Sequence, residues 1–385
     1  MTIYLDNAAT TAVDPRVLKA MQPYFSKHFG NASSLHGFGQ RARAALEDAR
    51  EKVAALIDSK PEEIIFTSGG TESNNLAIKG LAWAHPNKKH IIISAIEHHA
   101  VMEPCEWLRK HGYDITVLPV DSYGLVDPKA VERAIRPDTL MVSIMHANNE
   151  IGTIEPIERI GAICRAKDVF FHTDAVQSFG KIPIDVDAMH IDLLSASSHK
   201  IHGPKGVGCL YVRKGISLVP LAHGGGHERG LRSGTENVAG IVGFGEAAAI
   251  AKKEMAADAK RLTALRDRLI KETLKIQDSW LNGHPRQRLP GNANFGFRYI
   301  EGEALVLQLD MHGIAVSTGS ACSSKSLEPS HVLLALGLRH EEAHGSLRVS
   351  LGKFNTRADI DALLKVLPQT VERLREISPF KRKYK

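Results

Sequence analysis

Residues 90–119 read HIIISAIEHHAVMEPCEWLRKHGYDITVLP, in which two short apolar runs flank a longer segment. The runs His90 to Ser94 and Asp114 to Pro119 are rich in Ile, Val and Thr, as is typical of strands, whereas Ala100 to Lys110 has a helical period. A strand, a helix and a second strand in this order predict parallel pairing, because the helix carries the chain back across the sheet.

The same alternation extends from about residue 62 to residue 213. The predicted strands are Glu63 to Thr67, His90 to Ser94, Asp114 to Pro119, Leu140 to Met145, Val169 to Thr173, Asp192 to Ala196 and Val207 to Val212. The helices between them include Thr71 to Trp83, Ala100 to Lys110 and Pro156 to Lys167. We therefore expect an α/β fold whose large domain has a mostly parallel seven-stranded sheet flanked by helices. Ligands bind where the strands of such a sheet end.

A second, smaller α+β domain is expected after the long helical stretch from Asn237 to Ile276. Its predicted elements are a strand at Asn292 to Phe297, a helix at Glu301 to His312, a strand at Ser346 to Leu351 and a closing helix after Thr356. We predict a large domain over residues 15–257. Residues 1–14 and 258–385 would form the small domain and carry a mobile loop at about residues 317–329.

The composition of the 385 residues is that of an ordinary globular protein, with 43% hydrophobic and 24% charged residues. The net charge of +6 is spread along the chain and only 6% of residues are aromatic, which argues against a nucleic-acid surface. A leader segment or membrane span is not evident, so we expect a cytoplasmic protein. The cysteines Cys105, Cys164, Cys209 and Cys322 are far apart and indicate neither disulfides nor structural zinc.

Polar groups follow the first two predicted strands. Gly69-Gly70-Thr71 enters a helix, where free backbone amides bind anions such as phosphate, although Thr71 could equally cap that helix. His98 and His99 come after the second strand, where an imidazole could stack on an aromatic ligand or simply lie at the surface. Further ligands for a metal ion are not evident at recognisable spacing.

Three more groups follow later strands. Asp174 needs a cationic partner such as a protonated ring nitrogen, unless it caps a helix, and Gln177 follows three residues later. Lys200 stands where a strand runs out into a glycine-rich turn, and a desolvated lysine there can form a Schiff base with an aldehyde. A phosphate, a flat ring, a pyridine nitrogen and an aldehyde together are what pyridoxal 5'-phosphate presents.

The chain resembles the cysteine desulfurases, which are fold-type I, class V aminotransferase-like enzymes dependent on pyridoxal phosphate. The motifs that carry the resemblance are Tyr4 to Thr11, Ser68 to Asn74, Asn148 to Gly152, Asp174 with Gln177, Ser197 to Gly206, Gly224 to Gly230, Arg232 to Thr235 and Gly319 to Cys322. They span nearly the whole chain.

The resemblance implies a role for each site residue. Lys200 would hold pyridoxal phosphate covalently and move protons. Asp174 would face the ring nitrogen, and Gln177 would contact the ring hydroxyl. His98 would stack on the ring and take part in proton transfer. The residues implied for the phosphate are Gly70, Thr71, Ser197 and His199, with Thr235 from the other subunit of a homodimer. Asn149, also beside the cofactor, and Arg348 would bind the substrate carboxylate.

Cys322 distinguishes sulfur chemistry from transamination, because it lies in a run of small residues where a thiolate is accessible. The resemblance implies that Cys322 takes sulfur from L-cysteine as a persulfide, leaves L-alanine, and passes the sulfur to an iron-sulfur scaffold protein or another acceptor. A [2Fe-2S] cluster shared with the scaffold through Cys322 is part of this expectation. The alternatives are a related enzyme acting on selenocysteine or cysteine sulfinate, a plain aminotransferase, or a catalytically silent scaffold.

Overall fold

The structure, a computed structural model, describes residues 2–319 and 329–379. Its strands are β1 Ile3–Tyr4, β2 Ile64–Thr67, β3 His90–Ser94, β4 Asp114–Leu118, β5 Thr139–Ser143, β6 Phe170–Asp174, β7 Leu193–Ser197, β8 Gly208–Val212, β9 Ser279–Asn282, β10 Asn292–Phe297, β11 Ile314–Ala315 and β12 Ser346–Ser350. Its α-helices are α1 Pro15–Met21, α2 Pro23–Ser26, α3 Gly37–Ala55, α4 Gly70–Asn75, α5 Leu81–Ala84, α6 His99–Arg109, α7 Pro128–Ala134, α8 Ile157–Ala166, α9 Val238–Thr273, α10 Gly302–Met311, α11 His331–Ala335, α12 His340–His344 and α13 Arg357–Ile377.

The central sheet has seven strands in the order β2-β8-β7-β6-β5-β3-β4. Strands β3 to β7 pair in parallel with one another, and β8 is antiparallel to both β2 and β7. The predicted mostly parallel seven-stranded sheet is therefore confirmed. Parallel pairing brings the carboxyl ends of β3, β5, β6 and β7 to one edge of the sheet. The polar residues of the sequence motifs come directly after these strands and therefore lie at the same edge.

The central strands are buried on both faces because helices cover both sides of the sheet. In β3, all five residues are buried. Ile92 belongs to the core beneath α3 and α8, whereas Ile91 and Ile93 belong to the core beneath α6, which also includes Val101 and Cys105. This two-sided burial explains why the strand reads as a continuous apolar run rather than an alternating one.

Two further sheets lie outside the central one: an antiparallel three-stranded sheet, β12-β10-β9, and the parallel pair β1-β11. Phe295 and Leu347 from the three-stranded sheet share one core with Leu5 and with Leu269 near the end of α9. The beginning of α9 contributes Phe244 to the core of the central sheet. Helix α9 thus spans both cores, and the division at residue 257 within it stays a prediction. None of the helices in residues 2–319 and 329–379 is long and apolar enough to cross a membrane.

A buried ion pair fastens the glycine-rich segment before α9 to the central sheet. Arg50 Nη1 and Nη2 donate to Glu228 Oε2 and Oε1 at 2.7 and 2.8 Å, and the backbone N–H of Phe66 donates to the same carboxylate at 2.8 Å. Both charged side chains are about 5% exposed or less. Removing one partner would leave the other as a buried charge without its buried counter-charge, which is costly.

We expect Glu228→Gln to lower the free energy of unfolding by about 3 kcal/mol, because the buried Arg50 guanidinium loses its buried counter-charge and keeps only the contact with the exposed Glu47 at 3.3 Å. Chemical denaturation of the variant beside the unmodified protein measures the change. Glu62→Gln is the matched control, since Glu62 is exposed and such changes cost about 0.5 kcal/mol or less. Equal stability of the two variants would show that the pair contributes no net stabilisation.

Candidate active site

A cavity of about 280 Å³ lies at the carboxyl ends of the parallel strands. Its walls include every predicted site residue in the described part of the chain except Thr235. The structure therefore brings together groups that are separated by more than two hundred positions, from Gly70 to Arg348. The N-terminal segment also contributes, through Ala8 and Ala9.

Asp174 ends β6 and is 4% exposed. One carboxylate oxygen accepts from Asn74 Nδ2 at 2.7 Å, and the other accepts from the backbone N–H of Val176 at 2.9 Å. The helix that Asp174 might have capped does not form, because residues 176–180 make turns instead. The two donors orient the carboxylate at the cavity wall. The sequence reasoning missed Asn74, whose role depends on this contact.

The anion-binding end of the cavity is the start of a continuous helical segment. It comprises α4, a wider π-helical turn at Leu76–Gly80, and α5. Gly69, not Thr71, occupies the N-cap position, so the interpretation of Thr71 as a cap is wrong. Gly70 and Thr71 line the cavity, and N–H groups in the first turn have no preceding turn to pair with.

The backbone at Gly70 approaches the opposite wall closely. A Cβ atom there would lie 2.6 Å from Val176 Cγ2. Ser197 at the end of β7 and His199 in the following turn complete this end of the cavity. His199 Nδ1 lies 3.1 Å from Thr10 Oγ1. Burial, together with repulsion from Lys200 and other lysines, lowers the pKa of His199 to about 4, so its imidazole is neutral near pH 7.

The Lys200 amine lies at the cavity wall, held by the N-terminal segment. Its Nζ donates to the carbonyl oxygens of Ala8 and Ala9 at 2.6 and 2.7 Å. Gln177 is attached to the same segment, because its Nε2 donates to the Ala8 oxygen at 2.9 Å. The Gln177 Oε1 accepts from Lys181 Nζ at 3.3 Å. The predicted lysine and glutamine thus share one backbone carbonyl.

His98 is the N-cap of α6, and its Nδ1 accepts from the backbone N–H of Ala100 at 3.0 Å. This bond places the proton of the neutral ring on Nε2. Burial lowers the pKa of His98; the Asp174 carboxylate opposes this shift and the Lys200 amine adds to it. The neighbouring His99 instead packs against the His331 ring at 5.0 Å. Among residues 2–319 and 329–379, His, Cys, Asp and Glu form no group suited to a metal ion.

Arg348 lies in β12 and is 2% exposed. Its guanidinium donates to Asp6 Oδ1 at 2.8 Å and to the Asn149 carbonyl at 3.1 Å. The Nε atom is buried without a hydrogen-bond partner within the described ranges. Arg348 is therefore positioned at the cavity with donor capacity left for a ligand anion. The sequence reasoning missed Asp6, which is 342 positions away from Arg348.

Thr235 is exposed and does not line the cavity of its own chain. The segment that carries it is held beside α4, where Arg232 Nε donates to Glu72 Oε1 at 3.0 Å. Glu72 also accepts from the backbone N–H of Ser68. The predicted contact of Thr235 with phosphate would require a second subunit.

The described cysteines are all buried, as predicted for inert thiols. Burial raises the pKa of both Cys105 and Cys164 to about 12, and that of Cys209 further still. None of these three thiols is suited to act as a nucleophile near neutral pH. The predicted nucleophile, Cys322, and most of the predicted mobile loop lie outside the described residues.

Both ends of that segment are anchored near the cavity. Gly319 lies in the cavity wall, and its carbonyl oxygen accepts from Arg348 Nη1 at 3.4 Å. With φ at +100°, Gly319 adopts a backbone conformation that other residues rarely reach, and a Cβ atom there would lie 3.1 Å from Glu150 Oε2. The same Glu150 oxygen accepts from Ser330 Oγ at 2.6 Å.

The residues of the cavity fit pyridoxal 5'-phosphate. An amine, a carboxylate, an imidazole and the start of a helix face one space, and these groups suit an aldehyde, a ring nitrogen, a ring face and a phosphate. Buried polar atoms without partners within the described ranges, Asn74 Oδ1 and Arg348 Nε, belong to residues of the same wall. A polar ligand of this kind would satisfy them.

Comparison with known proteins agrees with this geometry. Residues 3–363 match the family model Aminotransferase class-V. The chain is 56% identical over its whole length to cysteine desulfurase IscS of Dictyoglomus turgidum, covering 98% of that protein. It is 54% identical to cysteine desulfurase IscS 1 of Archaeoglobus fulgidus, covering 99% of this chain and 100% of that one.

Solved structures give the same result for the fold. A NifS-like protein superposes with a TM-score of 0.92 at 42% identity, over 97% of this chain and 100% of its own. A NifS-like protein from Rickettsia africae superposes with a TM-score of 0.88 at 33% identity, again over 97% of this chain. The chain belongs to the aminotransferase class-V family and, within it, to the cysteine desulfurases.

Proposed function

We propose that this chain holds pyridoxal 5'-phosphate covalently on Lys200 and removes sulfur from L-cysteine, giving L-alanine and a persulfide on Cys322. One observation carries the proposal. A single cavity gathers Lys200, Asp174 and Arg348, and Gly319, three positions before Cys322 in the sequence, lies in its wall. Amine, acid and guanidinium are the groups needed for this cofactor and an amino acid substrate.

The cofactor's ring would lie between His98 on one face and the cavity wall, with Asp174 at its nitrogen and Gln177 at its hydroxyl. When bound, it supplies an aldehyde that forms a C=N bond with an amine and a ring that accepts electron density from the α-carbon. The residues proposed for its phosphate are Gly70, Thr71, Ser197 and His199, with Thr235 of a second subunit. Asn74 keeps the Asp174 carboxylate oriented through its 2.7 Å hydrogen bond.

Arg348 and Asn149 would bind the substrate carboxylate. The guanidinium is already held by Asp6 and by the Asn149 carbonyl, so it loses little side-chain freedom on binding. Its planar shape favours two parallel hydrogen bonds to a carboxylate. This contact would place the α-carbon of the substrate near Lys200, which lines the same cavity.

Lys200 would take the α-proton of the substrate and return a proton to the product. His98 is suited to assist, because burial keeps its ring neutral and its proton sits on Nε2. A neutral imidazole can both accept and donate a proton near pH 7. The Ala8 and Ala9 carbonyls would steady the released amine, as they do in this structure.

Cys322 would act as the sulfur nucleophile. Cys322 is three positions after Gly319 in the sequence, so their Cα atoms can be at most about 11 Å apart. Its thiolate forms an S–S bond with the substrate sulfur while the substrate C–S bond breaks. The electron pair left on the substrate carbon takes a proton, which gives alanine, and Cys322 keeps a persulfide. No external oxidant is consumed.

The persulfide sulfur would pass to an iron-sulfur scaffold protein or another acceptor in a homodimeric enzyme. A thiolate of the acceptor attacks the outer sulfur and releases Cys322. A [2Fe-2S] cluster on the scaffold would then be cargo, held through Cys322 only during transfer. Neither nucleic acid nor a membrane takes part in the proposed reaction.

Incubation of the purified protein with pyridoxal phosphate, L-cysteine and a thiol reductant tests the proposal. Alanine and sulfide should appear in equal amounts. A plain aminotransferase would instead need a keto acid and release no sulfide. Selenocysteine and cysteine sulfinate, offered separately, distinguish the related enzymes. Turnover of either one with none of cysteine would overturn the proposed substrate.

We expect Arg348→Lys to raise KM for cysteine about tenfold or more while kcat changes less, because lysine cannot make the paired carboxylate contact. Steady-state alanine formation measures both constants. The visible absorbance of the bound cofactor should persist, which excludes a general loss of structure. Arg357→Lys is the control, since Arg357 is exposed at the start of α13. An unchanged KM in Arg348→Lys would remove this residue from the substrate site.

A further inference from the structure

Lys181 contacts Gln177 but does not itself line the active-site cavity. Its Nζ donates to Gln177 Oε1 at 3.3 Å, and the Gln177 Nε2 donates to the Ala8 carbonyl, which also accepts from Lys200. Lys181 is partly buried and lines a second cavity, between α9 and the smaller sheet. The Lys181 amine thus donates to an amide oxygen rather than to a carboxylate.

This contact helps to determine which way the Gln177 amide faces. The Lys181 amine carries N–H donors in both its charged and its neutral form, and the Gln177 amide oxygen faces it as the acceptor. The amide nitrogen is then directed to the Ala8 side, at the wall of the active-site cavity. Lys181 and the Ala8 carbonyl favour the same orientation, because turning the amide over would place its oxygen against the Ala8 oxygen and its N–H groups against the Lys181 amine.

The surroundings of Lys181 are strongly cationic. Burial lowers the pKa of its amine to about 7, and repulsion from Lys200 and Arg348 adds to the shift. The charge of Lys181 also contributes to lowering the pKa values of His199 and His202. The carboxylates of the second cavity are paired elsewhere, namely Asp14 with Arg16 and Lys353, Glu254 with Arg16 and Lys353, and Asp258 with Arg261.

We propose that Lys181 is a positioning residue that holds the Gln177 amide nitrogen toward the ring hydroxyl of the cofactor. In this way it lowers the pH at which the Lys200-bound cofactor loses its proton. The inference rests on the proposed function. A donor at the ring oxygen stabilises the deprotonated form, since that oxygen is then an anion without its internal hydrogen bond.

The test is a titration of the visible absorbance of the cofactor-loaded protein, without substrate. In Lys181→Met, the transition should move upward by about one pH unit, which is the effect of losing one hydrogen bond to a charged group. Lys181→Arg, which keeps a donor, should titrate near the unmodified protein. Lys205→Met is the control, because Lys205 is an exposed lysine whose charge also reaches His199.

A double-mutant cycle separates action through Gln177 from a simple effect of charge. In Gln177→Leu, adding Lys181→Met should cause little further shift, because the positioned amide is already gone. The same upward shift in both backgrounds would overturn the inference, as would a Lys181→Met titration identical to that of the unmodified protein. A failure of the proposed function looks different: the unmodified protein would then show no visible absorbance with pyridoxal phosphate.

Discussion

Lys200→Ala should lose the visible absorbance of the covalently held cofactor and form alanine from cysteine at least about a thousandfold more slowly. General base catalysis alone contributes 10²- to 10⁴-fold, and this substitution also removes covalent attachment. The Nζ of Lys200 is the cavity amine held by the Ala8 and Ala9 carbonyls. Absorbance spectra and alanine assays on the cofactor-loaded proteins measure both losses.

Lys205→Ala is the matched control for this effect. Lys205 lies five residues after Lys200 in the chain, but it is exposed and does not line the cavity. We expect its absorbance and rate to match those of the unmodified protein. An intact cofactor spectrum in Lys200→Ala that is lost on borohydride reduction, with the cofactor then fixed to the protein, would assign the covalent link to another amine and contradict the proposed role.

Cys322→Ser should keep the cofactor spectrum and yet release sulfide from cysteine at least about a hundredfold more slowly. A serine hydroxyl is a far weaker nucleophile toward sulfur than a thiolate, because it stays protonated near neutral pH. The other cysteines cannot replace it, since Cys105, Cys164 and Cys209 are buried with raised thiol pKa values. Sulfide and alanine assays in the presence of reductant give the comparison.

Two controls accompany the serine variant. Ser323→Ala changes the next residue of the same segment, and Cys164→Ala removes a thiol from the core; both should keep most of the activity. Retained spectrum with lost activity separates Cys322→Ser from Lys200→Ala, which loses both. If Cys322→Ser released sulfide undiminished, the persulfide mechanism would be wrong, and direct elimination of sulfide from the substrate would take its place.

The central sheet could be predicted from sequence because its strands carry their signal locally. The expected strand at His90 to Ser94 coincides with β3, and the other six overlap their observed counterparts. Strand β5 ends at Ser143 and not at Met145, because the backbone N–H of Met145 donates to the buried Glu97 carboxylate at 2.9 Å instead of to a neighbouring strand. A local pattern cannot indicate such a contact.

The short strands β1 and β11 escaped prediction for a similar reason. Each has two residues, and they pair across the chain, Ile3 opposite Ile314. Strand β9, Ser279–Asn282, also lacks an alternating or continuous apolar run. These segments form strands because the tertiary fold places a partner strand beside them. Their own residues therefore do not indicate a strand.

In the candidate site, too, some residues could be recognised from local sequence and others could not. Residues in recognisable motifs, such as Asp174 and Lys200, were predicted and line the cavity. Three residues were missed because each contacts another site residue that is distant in the sequence or was not recognised as its partner. Asn74 contacts Asp174, Asp6 contacts Arg348, and Lys181 contacts Gln177. Motif chemistry identifies the groups that meet a ligand, whereas the groups that orient them appear only once the chain is folded.

Mass spectrometry of the cofactor-loaded protein after brief incubation with L-cysteine, without reductant, tests the central claim most directly. We predict one additional sulfur atom on the peptide that contains Cys322, formed together with alanine and removed by dithiothreitol. The peptides that contain Cys105, Cys164 and Cys209 should remain unmodified. Alanine formation with no added sulfur on Cys322 would contradict the account.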